Sequence, residues 1–164
     1  MIHEVTGDIL LSQAQAIAHG IAAGDHFDTG LARSLRERWP AMAKDFRHYC
    51  HTAHPKAGTL WLWSGADGKR IVNLITQEPA PSEHQRPGPA RIEHVNHALR
   101  ALRKLVETEK LQSLALPKLA CGVGGLSWAQ VRPLLREHLG LLKIPVYVYV
   151  LYQANQAANE NQTD

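Results

Sequence analysis

The sequence has few cysteines, no long apolar run and no large excess of charge. Only two cysteines occur among its 164 residues, which argues against a disulfide framework, and we expect no disulfide partner. Apolar runs stay far below the roughly 20 residues of a membrane-spanning helix, so we expect no contact with a membrane. The net charge of +3 and the pI of about 9.0 mildly favour anionic ligands. This charge is too small and too dispersed to indicate a nucleic-acid groove.

The composition is that of a single globular domain. Apolar residues make up 45% of the chain and charged residues 20%, and 164 residues suffice for a sizeable core. We place the domain at residues 1–152, because the polar segment 153–164 lacks periodicity and is predicted to be disordered. The first eight residues have neither the basic nor the apolar region of a signal peptide, so we expect a cytoplasmic protein.

Short apolar strands alternate with helices along the chain. The patterns predict strands at residues 2–6, 15–21, 59–63, 70–76, 114–116 and 146–151, with a hairpin turn at 65–69. They predict a helical turn at 8–12 and helices at 31–39, 41–51, 90–109 and 129–139. This alternation indicates an α/β sandwich with a largely parallel or mixed sheet. Ligands of such sheets bind beyond the carboxyl ends of the strands.

A glycine-rich loop joins a predicted strand to a predicted helix within residues 116–128, Leu-Pro-Lys-Leu-Ala-Cys-Gly-Val-Gly-Gly-Leu-Ser-Trp. Its three glycines would let backbone N–H groups approach an anion, most often a phosphate, and Ser127 is a plausible N-cap. A tight turn without a ligand explains the glycines equally well. The loop lacks the lysine of a P-loop and the third glycine of a dinucleotide fingerprint, so it is a different phosphate loop or only a turn.

Two further loops are predicted at the same edge of the sheet. Residues 22–30 contain two glycines and two aspartates and lead into a helix, whose N-terminus attracts anions. Residues 79–89 contain four prolines, which predicts a long irregular loop after a strand. Because three loops would converge on one crevice, an anion site is favoured over three unrelated turns.

Several segments, taken in order over residues 1–152, resemble the macrodomain family of ADP-ribose-binding modules. They are Val-Thr-Gly-Asp-Ile-Leu at 5–10, Ile-Ala-His-Gly-Ile at 17–21, Thr-Gly-Leu-Ala at 29–32, Ile-Val-Asn-Leu-Ile-Thr at 71–76, the 116–128 stretch and Val-Tyr-Val-Tyr at 146–149. The Ala-His-Gly-Ile and Leu-Ile-Thr segments are most similar to the branch of terminal ADP-ribose glycohydrolases and DNA-ADP-ribose-removing antitoxins. The resemblance implies a three-layer α/β/α sandwich with a mixed, largely parallel sheet.

The resemblance also implies roles for individual residues. Asp8 would accept a hydrogen bond from the adenine amino group, and the loop at 28–32 would hold the diphosphate. The loop at 120–126 would hold the other side of the phosphates and the distal ribose. The implied ligand-binding set is Asp8, Ile9, Gly20, Ile21, Asp28, Thr29, Gly30, Leu31, Ala32, Thr76, Gln77, Ala120, Cys121, Gly122, Val123, Gly124, Gly125, Leu126 and Tyr152. The expected partner is ADP-ribose, or a protein or nucleic-acid end that carries it, and no cofactor is expected.

Catalytic positions of the family are substituted in this chain. The hydrolase branch has a lysine after the strand-end threonine, which forms a covalent adduct with the distal ribose, and Gln77 stands there. Gly124 matches an aspartate of that branch, and His19 lies where another branch positions water with an asparagine. We therefore predict a module that binds ADP-ribose without turnover. The alternative is an ADP-ribosyl hydrolase, or a phosphatase of ADP-ribose phosphate, that uses loop groups instead of the lysine.

The candidate catalytic residues for that alternative are Asp25, His26 and His19. Asp25 and His26, together with Asp28, would activate water against the distal ribose, although a solvated loop explains these residues equally well. His19 has a suitable side chain for a general base, but a hydrogen-bonded polar residue at a strand end is the simpler interpretation.

Other reactive side chains have simpler explanations. Cys121 has no neighbouring base and is predicted to be a small buried residue rather than a nucleophile. The spacing of His48, Cys50, His51 and His54 would suit zinc, but a polar helix face accounts for it, and we expect no metal site. Tyr152 would either stack on adenine or be an ordinary exposed tyrosine.

Overall fold

A computed structural model describes residues 1–82 and 84–161. Within these ranges one sheet contains the strands β1 (Ile2–Gly7), β2 (Ala16–Ala22), β3 (Leu60–Ser64), β4 (Arg70–Gln77), β5 (Leu114–Pro117) and β6 (Val146–Tyr152). The strand order is β1-β6-β5-β2-β4-β3. Neighbouring strands are parallel except in the β3–β4 hairpin, where Gly65 N–H donates to the Lys69 carbonyl at 2.8 Å. The predicted mixed, largely parallel sheet is confirmed.

Helices cover both faces of the sheet. The helices are α1 (Gly30–Arg38), α2 (Pro40–Ala53), α3 (Ile92–Thr108) and α4 (Trp128–Leu139), with a short 3-10 helix at Ile9–Leu11. Alternate side chains of a strand face opposite sides. In β2, Ile17 therefore packs in the cluster that contains Phe46 of α2, whereas Ala18 packs in the cluster that contains Leu99 of α3. Two cores separated by one sheet make the three-layer sandwich.

The helix after the glycine loop begins with a capping box. Ser127 Oγ accepts the Gln130 N–H at 3.3 Å, and Gln130 Oε1 accepts the Ser127 N–H at 3.2 Å. Such a cap contributes about 1 kcal/mol of stability. The predicted N-cap role of Ser127 is confirmed, and the cap fixes the point at which the loop becomes α4.

The polar segment after β6, for which we predict disorder, runs back across the end of β1. Gln153 N–H donates to the Gly7 carbonyl at 3.1 Å, and Asp8 N–H donates to the Gln156 carbonyl at 2.7 Å. The Glu160 carboxylate accepts hydrogen bonds from Ser12 Oγ at 2.6 Å, Gln13 N–H at 2.8 Å and Tyr149 OH at 2.6 Å. We call residues 153–161 the C-terminal strap; residues 162–164 lie outside the described ranges.

None of the helices in the described part of the chain combines the length and apolar character required to cross a bilayer.

Candidate functional site

The loops that follow β1, β5, β2 and β4 lie at one edge of the sheet, and we call the space along this edge the crevice. The strand order places the end of β1 at one side of this edge, followed by β6, β5, β2 and β4. Neighbouring strands lie about 4.8 Å apart, so three steps separate Asp8, after β1, from the loop after β2 by about 14 Å. The crevice therefore runs from Asp8, past the glycine-rich loop, towards residues 23–30.

Asp8 holds the start of the crevice together. Its Oδ1 accepts the Leu10 N–H at 3.0 Å and caps the short 3-10 helix, and its Oδ2 accepts the Asn155 N–H of the C-terminal strap at 3.0 Å. The side chain is buried under the strap, beside the buried Ile9. Each carboxylate oxygen accepts up to two hydrogen bonds, so both oxygens retain one acceptor position.

The N-terminus of α1 presents open N–H groups. The first hydrogen bond of this helix runs from Arg33 N–H to the Thr29 carbonyl at 3.2 Å, and the Thr29 hydroxyl makes no capping bond. In the described ranges, the N–H groups of residues 30–32 therefore have no acceptor, as the first turn of a helix leaves them. The Asp28 carboxylate turns away to Arg36 Nη1, at 2.8 Å. A helix end of this kind suits an anion.

The glycine-rich loop offers a second set of open N–H groups. Two backbone hydrogen bonds hold the loop: Cys121 N–H donates to the Lys118 carbonyl at 3.3 Å, and Leu126 N–H donates to the Ala120 carbonyl at 3.0 Å. The N–H groups of residues 122–124 have no acceptor in the part of the chain that is described. Three consecutive open N–H groups form a concave anion-binding surface.

Gly124 is required by close packing. A Cβ atom at this position would lie 2.7 Å from the Ala120 carbonyl oxygen and 2.8 Å from Ala90 Cβ. Ala90 N–H also donates to the Gly124 carbonyl at 3.0 Å, which ties the glycine loop to the residues before α3. The loop in this conformation therefore has no room for the aspartate of the hydrolase branch.

Phe27, which no sequence pattern singled out, anchors the loop after β2. Its backbone has a φ of +59°, and its fully buried ring contacts Phe46 edge-on at 5.5 Å between centroids. The ring of Trp61 on β3 continues this row, at 5.9 Å from Phe46 and stacked on Tyr49 at 5.2 Å. An apolar residue within the polar Asp-His-Phe-Asp sequence was the available signal.

Asp25 and His26 lie on this anchored loop. Asp25 Oδ1 accepts the Phe27 N–H at 2.7 Å, and burial raises the pKa of the Asp25 carboxyl. His26 is exposed, and its carbonyl accepts Arg36 Nη1 at 3.2 Å. The structure therefore keeps Asp25 as a half-buried carboxyl group beside the crevice.

His19 lies in the core between the sheet and α2. Its Nε2 is 2.7 Å from Asn73 Oδ1, and its ring lies 6.1 Å from Phe27 between centroids. Burial lowers the pKa of His19 to about 4, despite the hydrogen bond to Asn73, so the ring is neutral at pH 7. With only 2% of its surface exposed, His19 does not reach the crevice, and we assign it no catalytic step.

The side chains at the end of β4 face protein rather than solvent. Gln77 Nε2 donates to the Gly88 carbonyl at 3.1 Å, so this amide holds the loop at 79–89. The buried Thr76 hydroxyl has no hydrogen-bond partner among the described residues. It lies against Gly20, where a Cβ atom would approach it to 2.7 Å. The neighbouring Ile21 is buried in the core below the crevice.

The remaining candidate residues differ in exposure. Cys121 Sγ donates to the Leu119 carbonyl at 3.3 Å, and burial raises the pKa of its thiol, which disfavours a nucleophilic thiolate. Tyr152 is exposed at the end of β6, and Val123 is exposed at the tip of the glycine loop. Within residues 1–82 and 84–161, no three His, Cys, Asp or Glu side chains lie close enough together to hold a metal ion.

Comparison with known proteins gives one family and several relatives. The family model described as the Macro domain matches residues 21–135. The chain is 27% identical, over 158 residues, to a DNA ADP-ribosyl transferase–DNA ADP-ribosyl glycohydrolase fusion protein of Thermosipho africanus, covering 89% of this chain and 41% of that protein. It is 26% identical to a DNA ADP-ribosyl glycohydrolase of Thermus aquaticus, covering 91% of this chain and 41% of that protein. The chain thus spans about two fifths of the length of these relatives.

Solved structures share the fold. The macrodomain of Thermus aquaticus DarG superposes with a TM-score of 0.79 at 25% identity, covering 92% of this chain and 98% of that one. Thermosipho africanus DarTG in complex with ADP-ribose superposes with a TM-score of 0.78 at 24% identity, covering 95% of this chain and 42% of that one.

Proposed function

The chain belongs to the macrodomain family, and from this membership we propose that its crevice binds ADP-ribose. The observation that carries the proposal is the pair of open N–H sets, at residues 30–32 and 122–124, between which a diphosphate would lie. A diphosphate carries two negative charges and several acceptor oxygens, and backbone N–H groups at a helix start and in a glycine loop match both properties.

Asp8 supplies the specificity at the other end of the ligand. An exocyclic amino group of adenine is a hydrogen-bond donor, and each oxygen of the Asp8 carboxylate retains one acceptor position. The distance of about 14 Å from Asp8 to the loop after β2 provides room for an extended nucleotide. We propose that adenine lies at Asp8 and that the distal ribose lies near residues 120–126 and Asp25.

We propose ADP-ribosylated DNA as the natural form of the ligand. The Thermosipho and Thermus relatives are named for activity on DNA-linked ADP-ribose, which favours a nucleic-acid carrier over a protein carrier. A cytoplasmic location, where such DNA occurs in a bacterium, follows from the same proposal.

Calorimetry with ADP-ribose tests the proposal most directly. Wild-type protein should bind ADP-ribose, and Asp8→Asn should bind it about ten- to a hundredfold more weakly, because an amide replaces the charged acceptor at a cost of roughly 1.5–3 kcal/mol. Asp67→Asn removes an exposed carboxylate from the β3–β4 turn and should leave the affinity unchanged. Equal affinities of wild type and Asp8→Asn would reject the adenine role of Asp8.

A second candidate function is hydrolysis of the ADP-ribosyl bond. The observation that favours it is the half-buried Asp25 carboxyl group, whose pKa is raised by burial as a general base requires. Gln77 is unsuited to covalent catalysis, because an amide does not condense with the opened ribose. Release of ADP-ribose from a modified oligonucleotide by wild type, with none by Asp25→Asn, would support hydrolysis. A covalent adduct of wild-type protein with ADP-ribose, trapped by borohydride, would contradict hydrolysis without a catalytic lysine.

A further inference from the structure

A broad groove continues from the crevice between α2 and the proline-rich loop. Its volume is about 1140 Å³. Its lining includes Asp25 of the loop after β2 and Val123 at the tip of the glycine-rich loop. Its further lining includes Arg47, His51 and His54 from α2 and its C-cap, and His84 and Arg86 from the loop at 79–89.

Among the described residues that line this groove, two arginines stand against one carboxylate that is not paired with a cation. Arg47 and Arg86 are exposed, and neither has a carboxylate partner in the described part of the chain. Of the two carboxylates at the groove entrance, Asp28 pairs with Arg36 at 2.8 Å, whereas Asp25 accepts the Phe27 N–H, a neutral donor. Arginines of this kind on two walls of an open groove favour a polyanion.

The groove lies at the end of the crevice where the distal ribose of the proposed ligand would be. With adenine at Asp8, after β1, the distal ribose would lie near Asp25, after β2, and this ribose is the part of ADP-ribose that is attached to a macromolecule. The groove starts at that end of the crevice, next to β2 and β4, and not at Asp8. The groove therefore offers a path for a macromolecule that is attached to the distal ribose.

We propose that the groove binds the nucleic-acid strand that carries the ADP-ribosyl group, with its phosphates at Arg47 and Arg86. This inference rests on the proposed binding of ADP-ribose. A modified base must leave its duplex for its ADP-ribosyl group to enter the crevice, so the bound form is a single strand. Imidazole rings of His51, His54 and His84 provide flat surfaces against which unstacked bases pack.

The test compares a single-stranded DNA oligonucleotide that carries one ADP-ribosylated base with free ADP-ribose. Fluorescence polarisation measures the Kd of wild type for the modified oligonucleotide, and calorimetry measures its Kd for free ADP-ribose. The Kd for the oligonucleotide should be the lower of the two. The double variant Arg47→Ala/Arg86→Ala should bind the oligonucleotide about tenfold more weakly and bind free ADP-ribose as wild type does. The slope of log Kd against log salt should fall by about 1.4, or about 0.7 for each lost phosphate contact.

A matched control removes the same charge elsewhere. Arg100→Ala/Arg103→Ala also deletes two exposed arginines, but from α3 on the opposite face of the sheet, and should leave oligonucleotide binding unchanged. The proposal that the groove binds the strand would be overturned if both double variants lost the same affinity for the oligonucleotide, or if Arg47→Ala/Arg86→Ala lost none. An equal gain in affinity for an ADP-ribosylated peptide would overturn the assignment to nucleic acid. Failure of wild type to bind free ADP-ribose would reject the proposed function itself, before any oligonucleotide is used.

Discussion

At the scale of single residues, two glycines of one loop have opposite packing requirements. A Cβ atom at Gly122 would have no described atom within 4 Å beyond its chain neighbours, and the φ of Gly122 lies outside the left-handed region. Gly124 is enclosed by the Ala120 carbonyl and Ala90 Cβ. A substitution at Gly124 would therefore distort the loop itself, whereas a substitution at Gly122 probes the space in front of the open N–H groups.

Gly122→Glu should retain the fold and lose the ligand. A carboxylate about 4 Å from a phosphate repels it by roughly 2–4 kcal/mol at the dielectric of a protein surface, so affinity for ADP-ribose should fall about thirty- to a thousandfold. Calorimetry measures the loss, and circular dichroism should show an unchanged fold. Gly122→Ala adds only a methyl group and should bind nearly as wild type does. If Gly122→Glu binds normally, the N–H groups of residues 122–124 do not face the phosphates.

Residue patterns predict main-chain features better than they predict side-chain partners. Ser127 could be identified as an N-cap because the capping signal is local in sequence. Gln77 could be recognised at the lysine position, but its bond to the Gly88 carbonyl depends on a proline-rich loop without periodicity. The pairing of His19 with Asn73 likewise depends on the register of two parallel strands, which the sequence does not specify.

At the scale of elements, the helices and strands were predictable because each buries a periodic apolar face. The longest predicted helix, at residues 90–109, is observed at Ile92–Thr108 with its apolar stripe in the core. The C-terminal strap lacks such a signal, since backbone groups and the Glu160 carboxylate make most of its contacts. Burial and the hydrogen bond to Glu160 raise the pKa of Tyr149, which keeps its hydroxyl group as a donor to the strap.

Removal of the Glu160 carboxylate should weaken the fold at the end of β1. Glu160→Ala leaves three donors without their charged acceptor, and hydrogen bonds to charged groups are worth about 1.5–3 kcal/mol each when buried. Because the site is partly exposed, we expect a loss of about 2 kcal/mol in the free energy of unfolding. Urea denaturation measures it. Glu137→Ala on the exposed face of α4 serves as the control, and equal midpoints for the two variants would show that the strap contributes no stability.

At the scale of the whole molecule, the neutral His19 makes stability depend on pH. Its pKa is about 4 in the folded protein, whereas the ordinary histidine value is 6.5. Between these values the unfolded chain binds a proton that the folded chain does not, so stability falls as pH falls from 6.5 to 4. The full loss is about 3 kcal/mol, from roughly 1.4 kcal/mol for each pKa unit.

Urea titrations at several pH values should reveal this loss in wild type and a shallower slope in His19→Gln. His51→Gln alters an exposed histidine on α2 and should keep the wild-type slope. Identical slopes for wild type and His19→Gln would mean that another group controls acid stability.

The whole-molecule charge did not predict the groove, because the net charge of +3 averages over the surface. Arg47 and Arg86 lie far apart in sequence, and only the packing of α2 beside the loop at 79–89 brings them to one groove. The order of the strands was equally inaccessible from periodicity, although the strand–helix alternation implied the ends at which ligands bind and the family resemblance implied the layers.

The row of aromatic rings behind the crevice has an optical consequence. Phe27 lies on the loop after β2 that borders the crevice, its ring contacts that of Phe46, and the ring of Trp61 on β3 lies 5.9 Å from that of Phe46 between centroids. Indole fluorescence responds to changes in the packing and polarity of its surroundings. A shift of this loop on binding would change the packing of Trp61 through two phenyl rings, so we expect the total emission of the four tryptophans to change as the crevice fills.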